Sequence, residues 1–403
     1  MVGGYRGLPW RRRTGGRTRA VVLALLFAGL ALAGLAVPGA PAAADVYSAP
    51  AGRIAGPQGS VIQLQGLDIP LNTARAYRFL YRSTLPGGKP VAVSGVIVAP
   101  FRKAPPEGWP VVAWAHGTTG VVRKCAPSLL PNPVAVIPGI DELIARGYVV
   151  VASDFVGLGA DGTHPYLVGE SAARAVLDSV RAARQFGGGA RFVVWGHSQG
   201  GHAAVFTGAM APDYAPDLTL VGVAAAAPAS KLALLFENDL NSLPGRILTA
   251  MALRSWSQIY GHPLGGLVKP EAMKEVTAIS AGCVDIVTDG LRMLQEEKRM
   301  PHAFLESDPT QTRPWSVTIV ENTPTRAPRS PVFIAQGTTD DVVAPSITEQ
   351  FVKLFCRQGT RVDYRRYKGA THFNITRTAA RDAVAWIAAR FSGKPAPDTC
   401  GGG

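Results

Sequence analysis

Short apolar runs recur along the middle and end of the chain and predict buried strands. They lie at Val91–Val98, Val111–Ala115, Tyr148–Ser153, Phe192–Trp195, Leu218–Ala225 and Val332–Ala335. Apolar residues at helical spacing lie between or after several of these runs, at Glu170–Phe186, Gly201–Met210, Ile347–Cys356 and Ala380–Phe391. Strands that alternate with helices are typical of a parallel sheet covered on both faces. The pattern therefore predicts an α/β fold with a mostly parallel, doubly wound sheet.

The alternation stops between about residues 231 and 330, a stretch that we call the insertion. It has helix-like pieces and joints rich in glycine and proline, such as residues 261–266. Because it follows the strand that ends near Ala229, it should leave the sheet at the carboxyl edge, where sites of open α/β folds form. We predict a core of residues 45–230 and 331–403, with residues 231–330 as a helical cap or lid. The alternative is a surface subdomain without contact to substrate.

The first 44 residues have the pattern of an export signal. Six arginines precede or begin an apolar run from Ala20 to Val37, and three alanines at 42–44 offer a cleavage site before Asp45. We predict a signal peptide at residues 1–44 and a secreted or cell-envelope-associated protein. A retained membrane anchor is the alternative, because the run is just long enough to cross a bilayer. Twin-arginine and general secretory export both stay open.

Charge and cysteine content narrow the class of protein. Removal of the six leader arginines lowers the formal net charge from +13 to +7, and the remaining basic residues are scattered without a recognition motif. No nucleic-acid partner is therefore expected. Four cysteines in an exported chain predict two disulfides, and of the three pairings we favour Cys125 with Cys283 and Cys356 with Cys400. Their spacing fits no zinc site, and no metal is expected.

A pentapeptide at residues 196–200, Gly-His-Ser-Gln-Gly, provides the first candidate for chemistry. It follows the apolar run Phe192–Trp195 and precedes a helix-like segment, so Ser198 is predicted at a strand-to-helix turn. Such a turn exposes the serine hydroxyl, and the flanking glycines let the two backbone arms approach each other. Ser198 is therefore the predicted nucleophile. It needs a base within hydrogen-bond reach and a group that orients that base.

His372 is the predicted base, because it lies between the strand-like Arg361–Tyr367 and the last helix. The acid should follow another strand, between serine and histidine in chain order, and Asp340 is our choice there. Adjacent Asp341 is its close rival, because only one of two neighbouring carboxylates at a strand end can face the histidine.

Other polar residues are assigned structural roles. His197 and His202 are close in sequence to Ser198, whereas His262 and His302 fall in the insertion. We interpret all four as packing or surface histidines. Asp154 ends a strand but precedes the serine, and is expected to hold a glycine-rich loop.

The tetrahedral intermediate of acyl transfer needs backbone N–H donors for its oxyanion. One should come from Gln199, the residue after the nucleophile, and the other from the loop that follows Val111–Ala115. The glycines at 117 and 120 allow N–H groups of that loop to turn toward the site, and Thr118 is the predicted donor. A simple glycine-rich turn is the alternative for this segment.

Taken together, these motifs resemble the α/β-hydrolase superfamily and, within it, the secretory lipases of fungi and bacteria. The resemblance rests on residues 114–120, 154–159, 164–170, 195–201, 336–340 and 369–372, in that order. It implies Ser198 as nucleophile, Asp340 as acid, His372 as base, a cap over an acyl-binding cleft, and ester hydrolysis without cofactor. Two departures are Thr371, where the family often has glycine, and the doubled acid at 340 and 341.

The leading hypothesis is a secreted serine carboxylic-ester hydrolase, a lipase that acts on acylglycerols or related lipid esters through an acyl-enzyme. A serine peptidase, an acyltransferase and a non-catalytic binding protein are the alternatives. Acyl-chain length and oligomeric state stay open. The apolar run Ile247–Leu253 would serve either as a lipid-facing surface or as core packing. Transient contact with a lipid interface, with interfacial activation, is predicted.

Overall fold

The computed structural model of the protein describes residues 45–49, 51–240, 242–284 and 287–401. The predicted signal peptide at residues 1–44 lies outside this range, as does the apolar run within it. The described residues from Asp45 onward form one compact unit. Within these ranges the structure contains no helix with the length and apolar character needed to cross a membrane.

The described part of the chain forms a nine-stranded sheet. Its strands are β1 (Val61–Leu67), β2 (Ala74–Thr84), β3 (Pro90–Pro100), β4 (Trp109–Ala115), β5 (Val149–Ser153), β6 (Gly188–His197), β7 (Thr219–Ala226), β8 (Val332–Gly337) and β9 (Val362–Tyr367). Their spatial order is β1-β2-β3-β5-β4-β6-β7-β8-β9. The pairs from β5 to β9 along this order are parallel, whereas β1, β2 and β3 pair antiparallel. The sheet is mostly parallel, as predicted.

Helices connect the strands. They are α1 (Ile140–Ala145), α2 (Gly169–Ala183), α3 (Gln199–Tyr214), α4 (Leu232–Asp239), α5 (Leu243–Tyr260), α6 (Met273–Ser280), α7 (Val287–Arg299), α8 (Trp315–Glu321), α9 (Pro345–Arg357) and α10 (Ile375–Phe391). Four of these, α2, α3, α9 and α10, correspond to the predicted helices, with ends that differ by a few residues. Helix α2 stops at Ala183 because the last predicted turn is a 3-10 turn at residues 184–186.

Each face of the sheet has its own apolar core because side chains alternate along a strand. On β4, Val112 and Trp114 join a core with residues of α1, α10 and the insertion, whereas Val111 and Ala113 join a core with residues of α2, α3 and α9. Both faces are covered, which explains why the central strands are apolar at nearly every position. This is the doubly wound arrangement that the sequence predicted.

The insertion contains α4 to α8, between β7 and β8. Its run Ile247–Leu253 lies in α5, where Ile247, Ala250, Met251, Ala252 and Leu253 are buried. They belong to the same core as α1 and α10. Of the two alternatives for this run, the structure therefore shows core packing, and a lipid-facing role for the whole run is wrong.

Both favoured disulfides are present, Cys125–Cys283 and Cys356–Cys400. The first joins the loop after β4 to the insertion. The second ties the tail to the end of α9. Next to it, the N–H of Thr399 donates to the carbonyl of Val362 (2.7 Å), and the N–H of Tyr364 donates to the Thr399 hydroxyl (3.0 Å). The tail therefore runs along β9, an edge strand of the sheet.

Candidate active site

Ser198 lies at a tight turn between β6 and α3. Its backbone has φ 53° and ψ −114°, a left-handed conformation that costs a residue other than glycine about 1–3 kcal/mol. The N–H of Ser198 donates to the carbonyl of Ala226 on neighbouring β7 at 3.0 Å. A Cβ on Gly200 would lie 1.9 Å from the carbonyl oxygen of Ala115, and one on Gly196 would lie 2.0 Å from that of Gly200. Only glycine fits at both positions, so the turn depends on them.

The structure brings Ser198, His372 and Asp340 into one hydrogen-bonded row. The Ser198 hydroxyl lies 2.9 Å from Nε2 of His372. On the other side of the ring, Nδ1 of His372 lies 2.9 Å from Oδ2 and 3.2 Å from Oδ1 of Asp340. All three residues are buried, with exposed fractions of 7%, 4% and 5%. In this row a proton on Nδ1 leaves Nε2 free to accept the serine proton.

Asp340 is fixed by the turn that follows β8. Its Oδ1 accepts the N–H groups of Val342 (3.0 Å) and Val343 (2.8 Å), and its Oδ2 accepts Nε2–H of Gln336 (3.1 Å). Asp341, the rival acid, is exposed. The carboxylate that faces the histidine is therefore that of Asp340.

The sequence analysis did not identify Gln336 as a residue that supports the acid. Besides its bond to Asp340, its Nε2 donates to the carbonyl of Val343 (2.9 Å), and its Oε1 accepts the hydroxyl of Thr348 (2.6 Å). A polar residue at the carboxyl end of an otherwise apolar, buried strand was the available signal, because such a residue must find partners.

Thr118 and Gln199 lie where the oxyanion donors were predicted, in the loop after β4 and at the first position of α3. The first N–H groups of a helix have no intrahelical acceptor, so that of Gln199 is suited to an oxyanion. The Thr118 hydroxyl forms a hydrogen bond with the hydroxyl of Tyr166 (2.8 Å). A Cβ on Gly117 would lie 2.7 Å from Nδ1 of His197, so the loop passes close to β6.

The side chain of Gln199 is held by His164, a contact that the sequence did not reveal. Its Nε2–H donates to Nε2 of His164 (2.9 Å), and Nδ1–H of His164 donates to the carbonyl of Val156 (2.8 Å). Burial lowers the pKa of His164 to about 4. His164 therefore stays neutral and accepts the amide proton of Gln199 at neutral pH.

His197 packs against the base. Its Nε2–H donates to the carbonyl of His372 (3.0 Å), and the two rings lie 4.8 Å apart. Burial, with a smaller contribution from the charge of His372, lowers the pKa of His197 to about 3. The packing role predicted for His197 is what the structure shows, with a direct contact to His372 that was not foreseen.

The side chains of three further histidines contact groups outside the triad or solvent. His202 is buried, its Nε2–H donates to the carbonyl of Asn322 (2.8 Å), and burial lowers its pKa to about 4. His262 contacts the hydroxyl of Thr318 (2.7 Å), and His302 is exposed. Their interpretation as packing or surface residues agrees with these positions.

Asp154 has the structural environment that was expected. Its carboxylate accepts the hydroxyls of Ser94 and Ser128 and the N–H of Ser128. The same Ser94 hydroxyl contacts the carbonyl of Leu158 (3.0 Å), which ties Asp154 to the glycine-rich loop. Burial raises the pKa of Asp154, against these hydrogen bonds.

A small apolar cleft, with a free volume of about 30 Å³, opens beside Ser198. Apolar side chains of the insertion and of the turn after Asp340 dominate its walls, among them Leu232, Leu235, Phe236, Leu248, Ala252 and Val342. Five of these six residues, all except Val342, lie on helices α4 and α5 of the insertion, which line the cleft together with Ser198. In the described ranges, no three His, Cys, Asp or Glu side chains are grouped so as to hold a metal ion.

Comparisons with known proteins show the family of the chain. A family model described as secretory lipase matches residues 137–399. Lipase 10 of Candida albicans is 26% identical over 393 positions, which cover 89% of this chain and 83% of that protein. The "Probable inactive lipase" of Mycobacterium tuberculosis is 24% identical, over 87% of this chain and 82% of its own length.

The solved structure of Candida antarctica lipase A is similar in fold. Its TM-score is 0.73 at 20% identity, with 88% of this chain and 87% of that chain covered. At this identity the similarity shows the fold alone, and it confirms the α/β-hydrolase architecture that the motifs suggested.

Proposed function

The chain belongs to the secretory lipase family, and from this premise we propose that it hydrolyses lipid esters, acylglycerols among them, through an acyl-enzyme on Ser198. Members of the family are carboxylic ester hydrolases, and lipid esters are their substrate class. The observation that carries the assignment of residues is the row of hydrogen bonds from Ser198 through His372 to Asp340, at 2.9 Å each. Gln199 and Thr118 are the proposed oxyanion donors.

In the acylation step, the Ser198 hydroxyl attacks the ester carbonyl and its proton passes to Nε2 of His372. The carboxylate of Asp340 stabilises the imidazolium that forms, and the backbone N–H groups of Gln199 and Thr118 stabilise the oxyanion. His372 then returns the proton to the leaving alcohol as the carbonyl–alkoxide bond breaks. Water repeats the sequence on the acyl-enzyme, releases the carboxylic acid and restores Ser198.

The apolar walls of the cleft support an acyl chain as the group that is bound. Each methylene that it takes from water contributes about 0.8 kcal/mol of binding free energy. The six wall residues named above are apolar, so none of them offers a charged partner to a charged substrate. This agrees with the lipase names of the relatives rather than with a peptide substrate.

Exposed apolar residues support the proposed contact with a lipid interface. Phe373, next to the base, is 69% exposed, and Leu291 and Leu294 on α7 are 57% and 36% exposed. Interfacial activation is the behaviour that we propose for these residues. Leu291→Ser should lower the rate on emulsified ester at least threefold and leave the rate on a monomeric short-chain ester within 1.5-fold. Equal rates of the wild type on the two forms of substrate would contradict interfacial activation.

The remaining proposals concern organisation and location. The insertion, residues 231–330, acts as the cap of the cleft, since α4 and α5 supply several of its walls. The family and the two disulfides fit an extracellular protein. Residues 1–44 are the proposed signal peptide.

The decisive test measures hydrolysis of p-nitrophenyl esters of graded acyl length by the protein from Asp45 onward. Ser198→Ala should remove turnover, whereas Ser392→Ala, at an exposed serine, should not. A fluorophosphonate should label Ser198 covalently. Turnover of long-chain esters would identify a lipase, and a preference for short chains an esterase.

The alternatives predict other results. A serine peptidase would cleave a matched amide faster than the ester, and an acyltransferase would transfer the acyl group to an added alcohol in preference to water. A non-catalytic binding protein would show no Ser198-dependent turnover and no covalent label. That last outcome would refute the proposed function.

A further inference from the structure

The loop that carries Thr118 is attached to the insertion by its next residues. The N–H of Val284 donates to the carbonyl of Thr119 (2.8 Å), and Gly120 and Cys283 form an antiparallel bridge. The disulfide Cys125–Cys283 closes the same junction with a covalent bond. One side of the proposed oxyanion loop is therefore fixed to the segment that follows α6.

The junction is tight and closed to solvent. Cys125 and Cys283 have exposed fractions of 4% and 1%. Gly120 has φ +142°, and a Cβ there would lie 2.4 Å from Sγ of Cys125. At its outer side, Asp289 accepts both Nζ–H of Lys124 (2.5 Å) and the N–H of Cys283 (3.1 Å). The loop and the insertion therefore have little freedom to separate while the disulfide is intact.

The insertion also holds Thr118 through a second attachment, at Tyr166. The Thr118 hydroxyl contacts that of Tyr166 (2.8 Å), whose own backbone is bound to α5. The N–H of Tyr166 donates to the Ser255 hydroxyl (3.0 Å), and Nε1–H of Trp256 donates to the Tyr166 carbonyl (2.7 Å). Thr118 thus lies between two attachments that both lead to the insertion.

We propose that Cys125 and Cys283 are positioning residues for ester hydrolysis, because their disulfide sets the place of the Thr118 N–H in the oxyanion hole. The inference rests on the proposed function. An oxyanion donor acts only when it points at the place where charge develops, and loss of one donor costs about 10²–10³ in kcat. A small displacement of a catalytic group carries a part of that cost. The bond would therefore affect kcat more than substrate binding.

The second disulfide is a matched control. Cys356–Cys400 lies near Val362, at the start of β9, whereas the site lies at the carboxyl ends of the strands. Removal of either bond should lower the melting temperature, since each closes a long loop, of 158 or 44 residues in sequence separation. Only removal of Cys125–Cys283 should change the oxyanion loop.

The experiment compares Cys125→Ser/Cys283→Ser with Cys356→Ser/Cys400→Ser on p-nitrophenyl butyrate below its solubility limit. We expect the first double variant to lose about 10- to 100-fold in kcat with KM within threefold, and the second to keep kcat within twofold. Circular dichroism at the assay temperature checks that both are folded. The proposal is overturned if the first variant keeps kcat within twofold, or if both lose kcat equally.

Tyr166→Phe tests the other attachment without removing a disulfide, and decides the question if the double variant does not fold. It keeps the ring and removes the hydroxyl bound to Thr118. Loss of one such hydrogen bond predicts a fall in kcat of about 3- to 10-fold with KM unchanged. An unchanged kcat here would count against the premise of the proposal, that the attachments of the Thr118 loop set its catalytic position. A wild type without Ser198-dependent turnover would instead refute the proposed function itself.

Discussion

Replacement of Asp340 by asparagine changes one atom of the proposed triad and leaves its shape. Oδ1 of Asp340 accepts two backbone N–H groups, those of Val342 and Val343. An asparagine can satisfy them only with its carbonyl oxygen. Its NH₂ group must then take the place of Oδ2, which lies 2.9 Å from Nδ1 of His372 and 3.1 Å from Nε2 of Gln336.

The misplaced NH₂ group reverses the hydrogen bond to His372. Nδ1 would have to accept a proton rather than donate one, so the ring proton would move to Nε2, which faces Ser198. A protonated Nε2 cannot take the serine proton, and no carboxylate remains to stabilise an imidazolium. General-base catalysis of this kind is worth about 10²–10⁴ in rate. We expect Asp340→Asn to lower kcat about 10³- to 10⁴-fold, which is an increase of about 4–5.5 kcal/mol in activation free energy.

Asp341→Asn is the matched control, since it makes the same chemical change at an exposed neighbour. Its kcat should stay within about threefold of the wild type. Both variants are assayed on a short-chain p-nitrophenyl ester, with urea unfolding to compare stability. Loss of kcat in Asp341→Asn as large as in Asp340→Asn, or retention of more than a tenth of kcat in Asp340→Asn, would refute the reasoning.

Two further predictions concern stability. Gly200→Ala places a Cβ 1.9 Å from the carbonyl oxygen of Ala115 and should lower the free energy of unfolding in urea by about 3 kcal/mol or more. At Gly265 a Cβ meets nothing within 4 Å, so the control Gly265→Ala should change that free energy by less than about 1 kcal/mol. An unchanged stability of Gly200→Ala would contradict the tight turn. Burial lowers the pKa of His202 in the folded protein to about 4, against an ordinary value of 6.5. Between these two pH values the imidazole binds a proton only in the unfolded state. The contribution of neutral His202 to the free energy of unfolding is therefore complete above pH 6.5 and is lost as the pH falls toward 4. His202→Gln should reduce the drop in unfolding free energy between pH 7 and pH 4.5 by about 2–3 kcal/mol, and an unchanged drop would argue against a neutral, buried His202.

The central strands and the three residues Ser198, His372 and Asp340 could be predicted from the sequence for one physical reason. Parallel strands buried on both faces must be apolar throughout, so β4 to β8 appear as uninterrupted runs. Functional loops then follow their carboxyl ends, which placed Ser198, Asp340 and His372 at one edge of the sheet. The choice between Asp340 and Asp341 required coordinates, because neighbouring residues share the same sequence environment.

Other features were beyond the sequence because they depend on contacts between distant segments. Strands β1 and β2 were missed, since β1 is half-exposed and β2 has interleaved arginines and tyrosines instead of an apolar run. The bond between Gln199 and His164 joins residues 35 positions apart, and that between His197 and the His372 carbonyl spans 175 positions. No periodicity encodes such pairs.

The tail along β9 affects how the edge of the sheet can pair with other chains in concentrated solution. A terminal strand of a sheet offers unpaired N–H and C=O groups to any second chain that meets it, which is how aggregates begin. Here the N–H of Thr399 already occupies the carbonyl of Val362, and the Thr399 hydroxyl occupies the N–H of Tyr364. The covalent bond at Cys400 keeps that cover in place. The segment around Thr399 thus leaves fewer free backbone groups on β9 for a second chain to pair with.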